Sequence, residues 1–112
     1  MTLTVDIVSA LAVGIHPAWL LEVKTLEEAE TQAVAENAPH RADRLTRGGH
    51  PPDGPFMFAQ AEWERFKTKL QPGDELWSFC SPAATWQSLS GRAGYCILRG
   101  EVLIAAFVTR LN

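Results

Sequence analysis

The chain has 112 residues, 46% of them apolar and 21% charged, with a net charge of −3. This length holds one hydrophobic core, so we expect a single domain spanning residues 1–112, and the apolar fraction excludes a disordered chain. The acidic balance disfavours a nucleic-acid partner, because a phosphate backbone attracts basic surfaces.

The first segment, "TLTVDIVSALAV", fits two structures. Its first residues alternate like a strand, but a helical spacing is also present, at Thr2, Asp6, Ser9 and Val13. Gly14 stands where a helix-ending glycine belongs, and we favour a helix over residues 4–13. Pro17 suits the first position of a second short helix over residues 17–23, because its missing N–H has no intrahelical partner there.

A capping box opens the next helix. Thr25 and Glu28 can each satisfy a backbone N–H of the other, which predicts a helix from Leu26 to about Asn37. Its inward positions are mostly small, which places the helix at the periphery: Leu26, Ala29, Ala33 and Val34. Pro39 disfavours continuation, although "PHRADRLTR" has room for a further turn or two.

Residues 48–55, "GGHPPDGP", predict an exposed loop. An amphipathic helix follows, with its apolar face at Ala59, Trp63, Phe66 and Leu70. "QPGD" ends this helix in a turn. The first part of the chain, about residues 1–71, is therefore predicted to be helical.

The second part, about residues 72–112, is rich in aromatic and β-branched residues. "ELWSF", "GYCIL" and "VLIAAFV" predict three strands, and Gly100 permits a hairpin turn between the last two. Between the first two, Ser81 as N-cap and Pro82 at the first position predict a short helix that carries Trp86. The expected fold is α+β: a helical N-terminal part packed on a three-stranded antiparallel sheet with a C-terminal β-hairpin.

The motifs "ELWSFCSP", Trp86, "GRAGYCILR" and the closing "VTRLN" resemble the C-terminal half of a family of small, functionally uncharacterised bacterial proteins. The resemblance covers residues 73–112. It implies a bacterial origin and a shared fold, and it carries over no catalytic residue.

Trp77 and Phe79 point to one face of their strand, where Trp86 on the connecting helix can cover them. Large aromatic residues at this spacing are typical of a core. The alternative interpretation is an aromatic ligand pocket.

Arg92 lies between Gly91 and Ala93, in a stretch predicted to be a strand. A buried guanidinium needs carboxylate or carbonyl partners, and Asp74 or Glu75 can supply them across the sheet. We therefore predict a structural ion pair, with anion binding as the alternative role.

Catalytic and metal-binding patterns are weak. Cys80 is interpreted as a half-buried strand thiol, because no cysteine-hydrolase signature surrounds it; the alternative is a nucleophile with His16 or His50 as base. Two spacings are compatible with metal ligands but supply too few of them: His40 with Asp43, and His50 with Asp53. No cofactor motif is present, and we expect no cofactor, no metal and, on balance, no enzyme activity.

Two function hypotheses follow from charge and side-chain placement. Five glutamates against Lys24 lie between Glu22 and Glu36, which predicts an acidic surface that attracts a basic partner. The first hypothesis is a non-enzymatic inhibitor of the immunity or antitoxin type, binding through three of these residues: Glu27, Glu28 and Glu30. The second is a small enzyme or ligand-binding protein with a cleft near Cys80, Trp86 and Arg92.

The sequence also makes predictions about self-association and cellular location. "VLIAAFV" is apolar on both faces and needs a cover or a partner strand if it forms a sheet edge, which predicts a homodimer. The start of the chain lacks a basic segment, and the apolar stretch 7–21 is shorter than a membrane span. Two cysteines without CxxC spacing indicate reduced thiols. We expect a cytoplasmic protein with no membrane partner.

Overall fold

The computed structural model of the chain describes residues 4–49 and 54–112. Within them the elements follow in the order α1 (Ile7–Ala12), β1 (Leu20–Lys24), α2 (Leu26–Thr46), α3 (Gln60–Lys67), β2 (Glu75–Cys80), α4 (Ala83–Gln87), β3 (Arg92–Arg99) and β4 (Val102–Leu111). The strands form an antiparallel sheet in the order β1-β2-β3-β4. The α+β class and the C-terminal hairpin are confirmed, and the sheet has a fourth strand beyond the three predicted. In the described part of the chain, no helix has the length and apolarity that a membrane crossing requires.

The fourth strand, β1, comes from a segment predicted as helix. Pro17 does begin a helical turn, but this 3-10 turn ends at Trp19. The chain then extends and pairs with β2, so that Leu20 lies opposite Phe79. The prediction of a helix over 17–23 is therefore wrong after Trp19. Pairing with β2 satisfies backbone groups that an open strand edge leaves without partners, and this tertiary gain outweighs the local preference.

The ambiguous first segment forms α1. The Asp6 side chain accepts a hydrogen bond from the Ser9 N–H at 2.9 Å, which caps the helix start. Gly14 follows the helix at φ +80°, a left-handed conformation that suits glycine. The predicted helix is confirmed in its middle; Thr2, part of the predicted pattern, lies outside the described residues.

The predicted capping box opens α2. The Thr25 hydroxyl accepts from the Glu28 N–H at 3.0 Å, and the Glu28 carboxylate accepts from the Thr25 N–H at 2.9 Å. The helix does not end near Asn37 but continues through Pro39. Asn37 and Arg41 donate to backbone carbonyls of the loop before α3, at 2.9 and 2.8 Å. These two contacts hold the second half of the helix and explain why one missing N–H does not end it.

The sheet is covered on both faces. Strand side chains alternate between faces, and each face builds its own apolar cluster. The face that we call the α2 face contacts α2 and α3, and its cluster includes Ala29, Ala33, Trp63, Phe66, Leu76, Tyr95, Ile97 and Phe107. The opposite α1 face contacts α1, and its cluster is formed by Ala10, Ile15, Phe79, Cys96, Leu98 and Leu103.

Small residues bring α2 close to the sheet. Ala29 and Ala33 are buried, whereas the two larger residues predicted to face inward, Leu26 and Val34, are exposed. The helix is turned so that its two alanines face the sheet and its larger residues face outward. On α3 the predicted pattern is confirmed: the cluster buries or contacts Ala59, Trp63, Phe66 and Leu70.

Ser81 connects α4 to β3. The sequence predicted it as the N-cap, but the helix begins at Ala83 and Ser81 makes no capping bond to it. Its hydroxyl oxygen instead accepts from the Thr85 hydroxyl at 2.6 Å and from the Arg92 N–H at 2.9 Å. The side chain is buried, so this pair of bonds fixes α4 against the start of β3.

Candidate functional site

Arg92 points to the α1 face of the sheet. Its Nη1 donates to the Gly14 carbonyl at 3.2 Å. Asp74 binds Arg99 instead, with two N–O distances of 2.8 and 2.9 Å. The register places Asp74 and Glu75 beside the end of β3 that is far from Arg92. The expected pair of Arg92 with a carboxylate is therefore wrong, because the strand register was not readable from the sequence.

Trp86 packs against the backbone at the start of β3. A Cβ atom on Gly91 would lie 2.2 Å from the indole ring, so only glycine fits beneath it. The indole N–H donates to the Ser81 carbonyl at 3.1 Å. The Arg110 guanidinium carbon lies over the indole ring of Trp86, 5.5 Å from the ring centroid and within cation–π range. Trp86 thus positions Arg110.

Trp77 and Phe79 share the α1 face, as predicted. Their cover comes from α1 and Trp19, while Trp86 is not part of this cluster. The core interpretation of Phe79 is confirmed by its burial, and Trp77 is half-buried. Within residues 4–49 and 54–112, the buried Trp77 indole N–H has no acceptor.

The two cysteines lie on opposite faces of the sheet and are both free. Cys80 is half-buried, as predicted for a strand thiol, whereas Cys96 is completely buried and its pKa is raised to about 12 by burial. His16 caps the 3-10 turn, where its Nδ1 accepts from the Ala18 N–H at 3.0 Å. His50, the other histidine considered as a base, lies outside the described residues. The structure thus gives His16 a different role from a base beside Cys80.

The three glutamates predicted to form a binding surface have different surroundings. The carboxylate of Glu28 closes the capping box, and these hydrogen bonds lower its pKa. The Glu30 carboxylate accepts from the Trp63 indole N–H at 2.9 Å and from the Lys67 ammonium at 3.3 Å. Glu27 is exposed, and no hydrogen bond or ion pair of its side chain occurs in the described ranges. Glu28 and Glu30 therefore stabilise the fold, whatever else they do.

The weak metal pattern gains no support. His40 and Asp43 border the same shallow depression on α2. His50 and Asp53, the other pair, lie outside the described residues. Among the residues that the structure does describe, no three metal-ligating side chains cluster.

A cleft runs between α2 and the sheet, and we call it the α2–sheet cleft. It consists of two cavities of about 190 and 260 Å³. Glu36, Thr109 and Arg110 border both cavities and so join them. Cys80 lines the first cavity, whereas Arg92 and Trp86 line neither. The three residues predicted beside one cleft are therefore not brought together.

The first cavity has a polar wall held by a chain of hydrogen bonds. The Tyr95 hydroxyl donates to the Gln32 Oε1 at 3.3 Å, and the Gln32 Nε2 donates to the Glu36 Oε1 at 2.9 Å. Burial and the charge of Glu36 raise the pKa of Tyr95, so the phenol stays protonated and available as a donor. The Lys24 ammonium in this cavity is engaged by Glu22 at 3.2 Å.

The second cavity has a mixed lining, in which Asn37 and His40 lie beside apolar side chains. Its lining includes Ala33, Phe56 and Phe107 from the core of the α2 face. Small-molecule sites usually occupy about 300 to 1,000 Å³, which is more than either cavity offers alone. A ligand of ordinary size would therefore extend across the border that the two cavities share.

A second surface feature lies on the other side of the molecule. α1 exposes three large apolar side chains, Ile7, Val8 and Leu11, which are 52%, 73% and 60% accessible. Their spacing puts them on one face of the helix. Asp6 lies at the start of this helix, and its N–H donates to the Glu101 carbonyl at 2.6 Å. We call the three apolar residues the α1 surface; it has acidic residues at one end.

Sequence reasoning predicted a cleft near Cys80, but it missed Glu36 and Arg110 at that cleft, and it missed the α1 surface. Glu36 and Arg110 are 74 positions apart in the numbering, and no local pattern links them. The α1 surface had a readable signal, because "IVSALAV" is apolar around most of a helix circumference, and only one side of a short helix can face a core.

Comparison of the chain with family models, with curated proteins and with solved structures gives no match.

Proposed function

We propose that the protein acts without enzyme chemistry, by binding another protein in the manner of an immunity or antitoxin-type inhibitor. The observation that supports this is the α1 surface, where three large apolar side chains stand together in solvent. Single exposed apolar residues are ordinary, but a contiguous group favours an interaction site. A bacterial cytoplasmic location is part of the proposal, and it is supported by the two free cysteines on opposite faces.

The expected partner has an apolar centre with basic residues around it. Burial of the apolar group supplies affinity, and charge complementarity supplies orientation and association rate. Asp6 and Glu101 lie next to the α1 surface, and the chain as a whole carries a charge of −3. A basic rim on the partner would therefore be attracted, and an acidic one repelled.

The α1 surface can be tested with Val8→Glu and Leu11→Glu. Each places a charge in the middle of the proposed contact, which typically costs about 2 kcal/mol or more at an interface centre, or about thirtyfold in affinity. The tagged protein is used to capture partners from native bacterial lysate, and the affinity of any captured protein is then measured. Val34→Glu on α2, 56% exposed in the wild type, is the matched control.

The proposal is supported if the control retains the partner and both α1 variants lose it. It fails if the wild type retains nothing at low salt, or if the α1 variants bind as tightly as the control. Circular dichroism of each variant confirms that the fold is intact.

The basic character of the partner is tested separately by Glu101→Lys and Glu27→Lys. These two residues are exposed, unlike Glu30, and neither closes a capping box as Glu28 does. We expect Glu101→Lys to slow association and to reduce its salt dependence. A loss of binding in Glu27→Lys would support the acidic α2 surface that the sequence predicted. Unchanged association in both variants would contradict a basic partner.

A homodimer is a second proposal, supported by the position of β4 at the edge of the sheet. α1 covers the start of this edge, since the Leu103 N–H donates to the Ser9 hydroxyl at 3.0 Å. The remaining stretch, up to Leu111, offers backbone groups to a second copy of β4. Light scattering over a range of concentrations is the measurement. A monomeric mass at the highest concentration reached contradicts the dimer and leaves the first proposal standing.

A further inference from the structure

The α2–sheet cleft contains two opposite charges that do not meet. Glu36 and Arg110 both border both cavities, yet no ion pair joins them within residues 4–49 and 54–112. A carboxylate and a guanidinium that border one cavity, and that form no ion pair within the described ranges, suit a molecule that carries both charges itself. Such a molecule would present an ammonium group to Glu36 and a carboxylate to Arg110.

Both side chains are held in place without a ligand. The Glu36 carboxylate accepts from Gln32 at 2.9 Å, and the Gln32 amide is itself bonded to the Tyr95 hydroxyl. The Arg110 guanidinium lies over the Trp86 ring. Binding therefore requires little additional ordering of either side chain, which favours affinity.

Singly charged ligands are less well matched. A lone anion would meet Arg110 but also the carboxylates of Glu36 and Glu22, and the Lys24 ammonium is already engaged by Glu22. A lone cation would be repelled by Arg110 at the border shared by the two cavities. A zwitterion satisfies both charges at once.

The second cavity indicates which group is attached to the charged head of the ligand. Its lining includes the apolar Ala33, Phe56 and Phe107 beside the polar Asn37 and His40. A hydrocarbon group attached to the charged head would contact the apolar part of this lining. We infer that the α2–sheet cleft binds a free α-amino acid with an apolar side chain, its charged head between Glu36 and Arg110 and its side chain in the second cavity.

This inference does not depend on the proposed partner binding. The α1 surface belongs to the helix that packs on the opposite face of the sheet from the cleft. The two sites can therefore be tested independently, with different ligands and different variants.

The experiment is isothermal titration calorimetry of the full chain with L-leucine and three matched probes. 4-Methylpentanoate lacks the ammonium group, 3-methylbutylamine lacks the carboxylate, and glycine lacks the apolar side chain. We expect leucine to bind and each probe to bind at least about tenfold more weakly, because each loses one charge-assisted contact or the apolar contact.

Two variants locate the site. Glu36→Gln and Arg110→Gln should each weaken leucine binding about tenfold or more, while Glu62→Gln and Arg65→Gln on α3 should leave it unchanged. All four positions are exposed, so the fold should persist, and thermal unfolding verifies this. Absence of leucine binding overturns the inference. So does 4-methylpentanoate or 3-methylbutylamine binding as tightly as leucine, or a Glu36→Gln variant that binds like the wild type.

Discussion

The two thiols of the sheet differ in their accessibility. Cys96 is completely buried on the α1 face and its pKa is raised to about 12, whereas Cys80 is half-buried at the α2–sheet cleft. The thiolate is the form that reacts with electrophiles. Burial therefore lowers the reactivity of Cys96 in two ways, because it blocks access to the sulfur and keeps the thiol protonated.

We predict that a thiol reagent such as DTNB modifies Cys80 in the native protein and Cys96 only after unfolding. Cys80→Ser should abolish the native reaction, and Cys96→Ser should leave it unchanged. Release of thionitrobenzoate at neutral pH, before and after addition of guanidinium chloride, is the measurement. Equal rates for the two thiols in the native state would contradict the described placement.

Trp63 and Trp77 differ in the hydrogen bonding of their indole N–H groups. The Trp63 indole N–H donates to the Glu30 carboxylate at 2.9 Å, whereas the buried Trp77 indole N–H has no acceptor in the described ranges. A hydrogen bond to a charged group contributes about 1.5 to 3 kcal/mol, and an unsatisfied buried donor costs a similar amount.

We expect Trp63→Phe to lower the free energy of unfolding by about 1.5 kcal/mol or more beyond its packing loss, which also exceeds that of Trp77→Phe because Trp63 is completely buried and Trp77 is half-buried. Trp77→Phe should lower it less, or raise it, because it removes a buried donor for which residues 4–49 and 54–112 provide no acceptor. Urea unfolding of both variants provides the comparison. A larger loss for Trp77→Phe than for Trp63→Phe would show that the Trp77 indole has a partner after all.

At the scale of elements, an ion pair ties the turn after α3 to the end of β3. The Asp74 carboxylate accepts from the Arg99 guanidinium at 2.8 and 2.9 Å and from the Gln71 N–H at 2.9 Å. Arg99 also donates to the Lys69 carbonyl at 3.2 Å. The Arg99 hydrogen bonds, followed by the one from Gln71, hold the pKa of Asp74 below its usual value.

A lowered pKa gives this ion pair a defined pH dependence. An aspartate in the unfolded chain has a pKa of about 3.9. The stabilisation is therefore fully present above that pH, and it is lost as the pH falls through the lower pKa of the folded state. We predict that Asp74→Asn flattens the decline of stability below about pH 4 relative to the wild type. Asp43→Asn, which breaks the exposed Asp43–Arg47 pair, is the control and should change little. The measurement is the urea midpoint of each variant across this pH range. If the midpoint depends on pH in the same way for the wild type and for Asp74→Asn, the prediction is refuted.

The elements also show how far local signals extend. The capping box at Thr25, the α3 pattern around Trp63 and the Gly100 hairpin were all predicted, because each depends on residues a few positions apart. The end of α2 was not predicted, because contacts from Asn37 and Arg41 to a distant loop carry the helix past Pro39.

At the scale of the whole molecule, one sheet serves two apolar clusters. Ile97 belongs to the cluster on the α2 face and Ile15 to the one on the α1 face, and both are almost completely buried. β3 contributes residues to both clusters, so neither can come apart without disturbing the strand that they share. This arrangement favours the single domain that the chain length predicted.

We therefore expect one cooperative unfolding transition. Ile97→Val and Ile15→Val should each lower the free energy of unfolding by about 0.5 to 1.5 kcal/mol and shift the same transition. Differential scanning calorimetry gives the result directly. Two transitions, each sensitive to only one of the variants, would mean that the α1 and α2 faces unfold as separate units.

The amino-acid sequence by itself determined the α+β class, the helix start at Thr25, the amphipathic α3 and the C-terminal hairpin. Each rests on an interaction within one helix turn or one hairpin, so the neighbouring residues carry all the information. Only the tertiary structure decided that residues 20–24 form a strand, which face Arg92 takes, and that Glu36 and Arg110 border one cleft. The strand depends on pairing with β2, more than fifty positions away in the chain, and the other two outcomes depend on register and on which helix covers each face of the sheet. Backbone pairing of that kind is available to many segments, and which of them pair is settled by the packing of the whole chain.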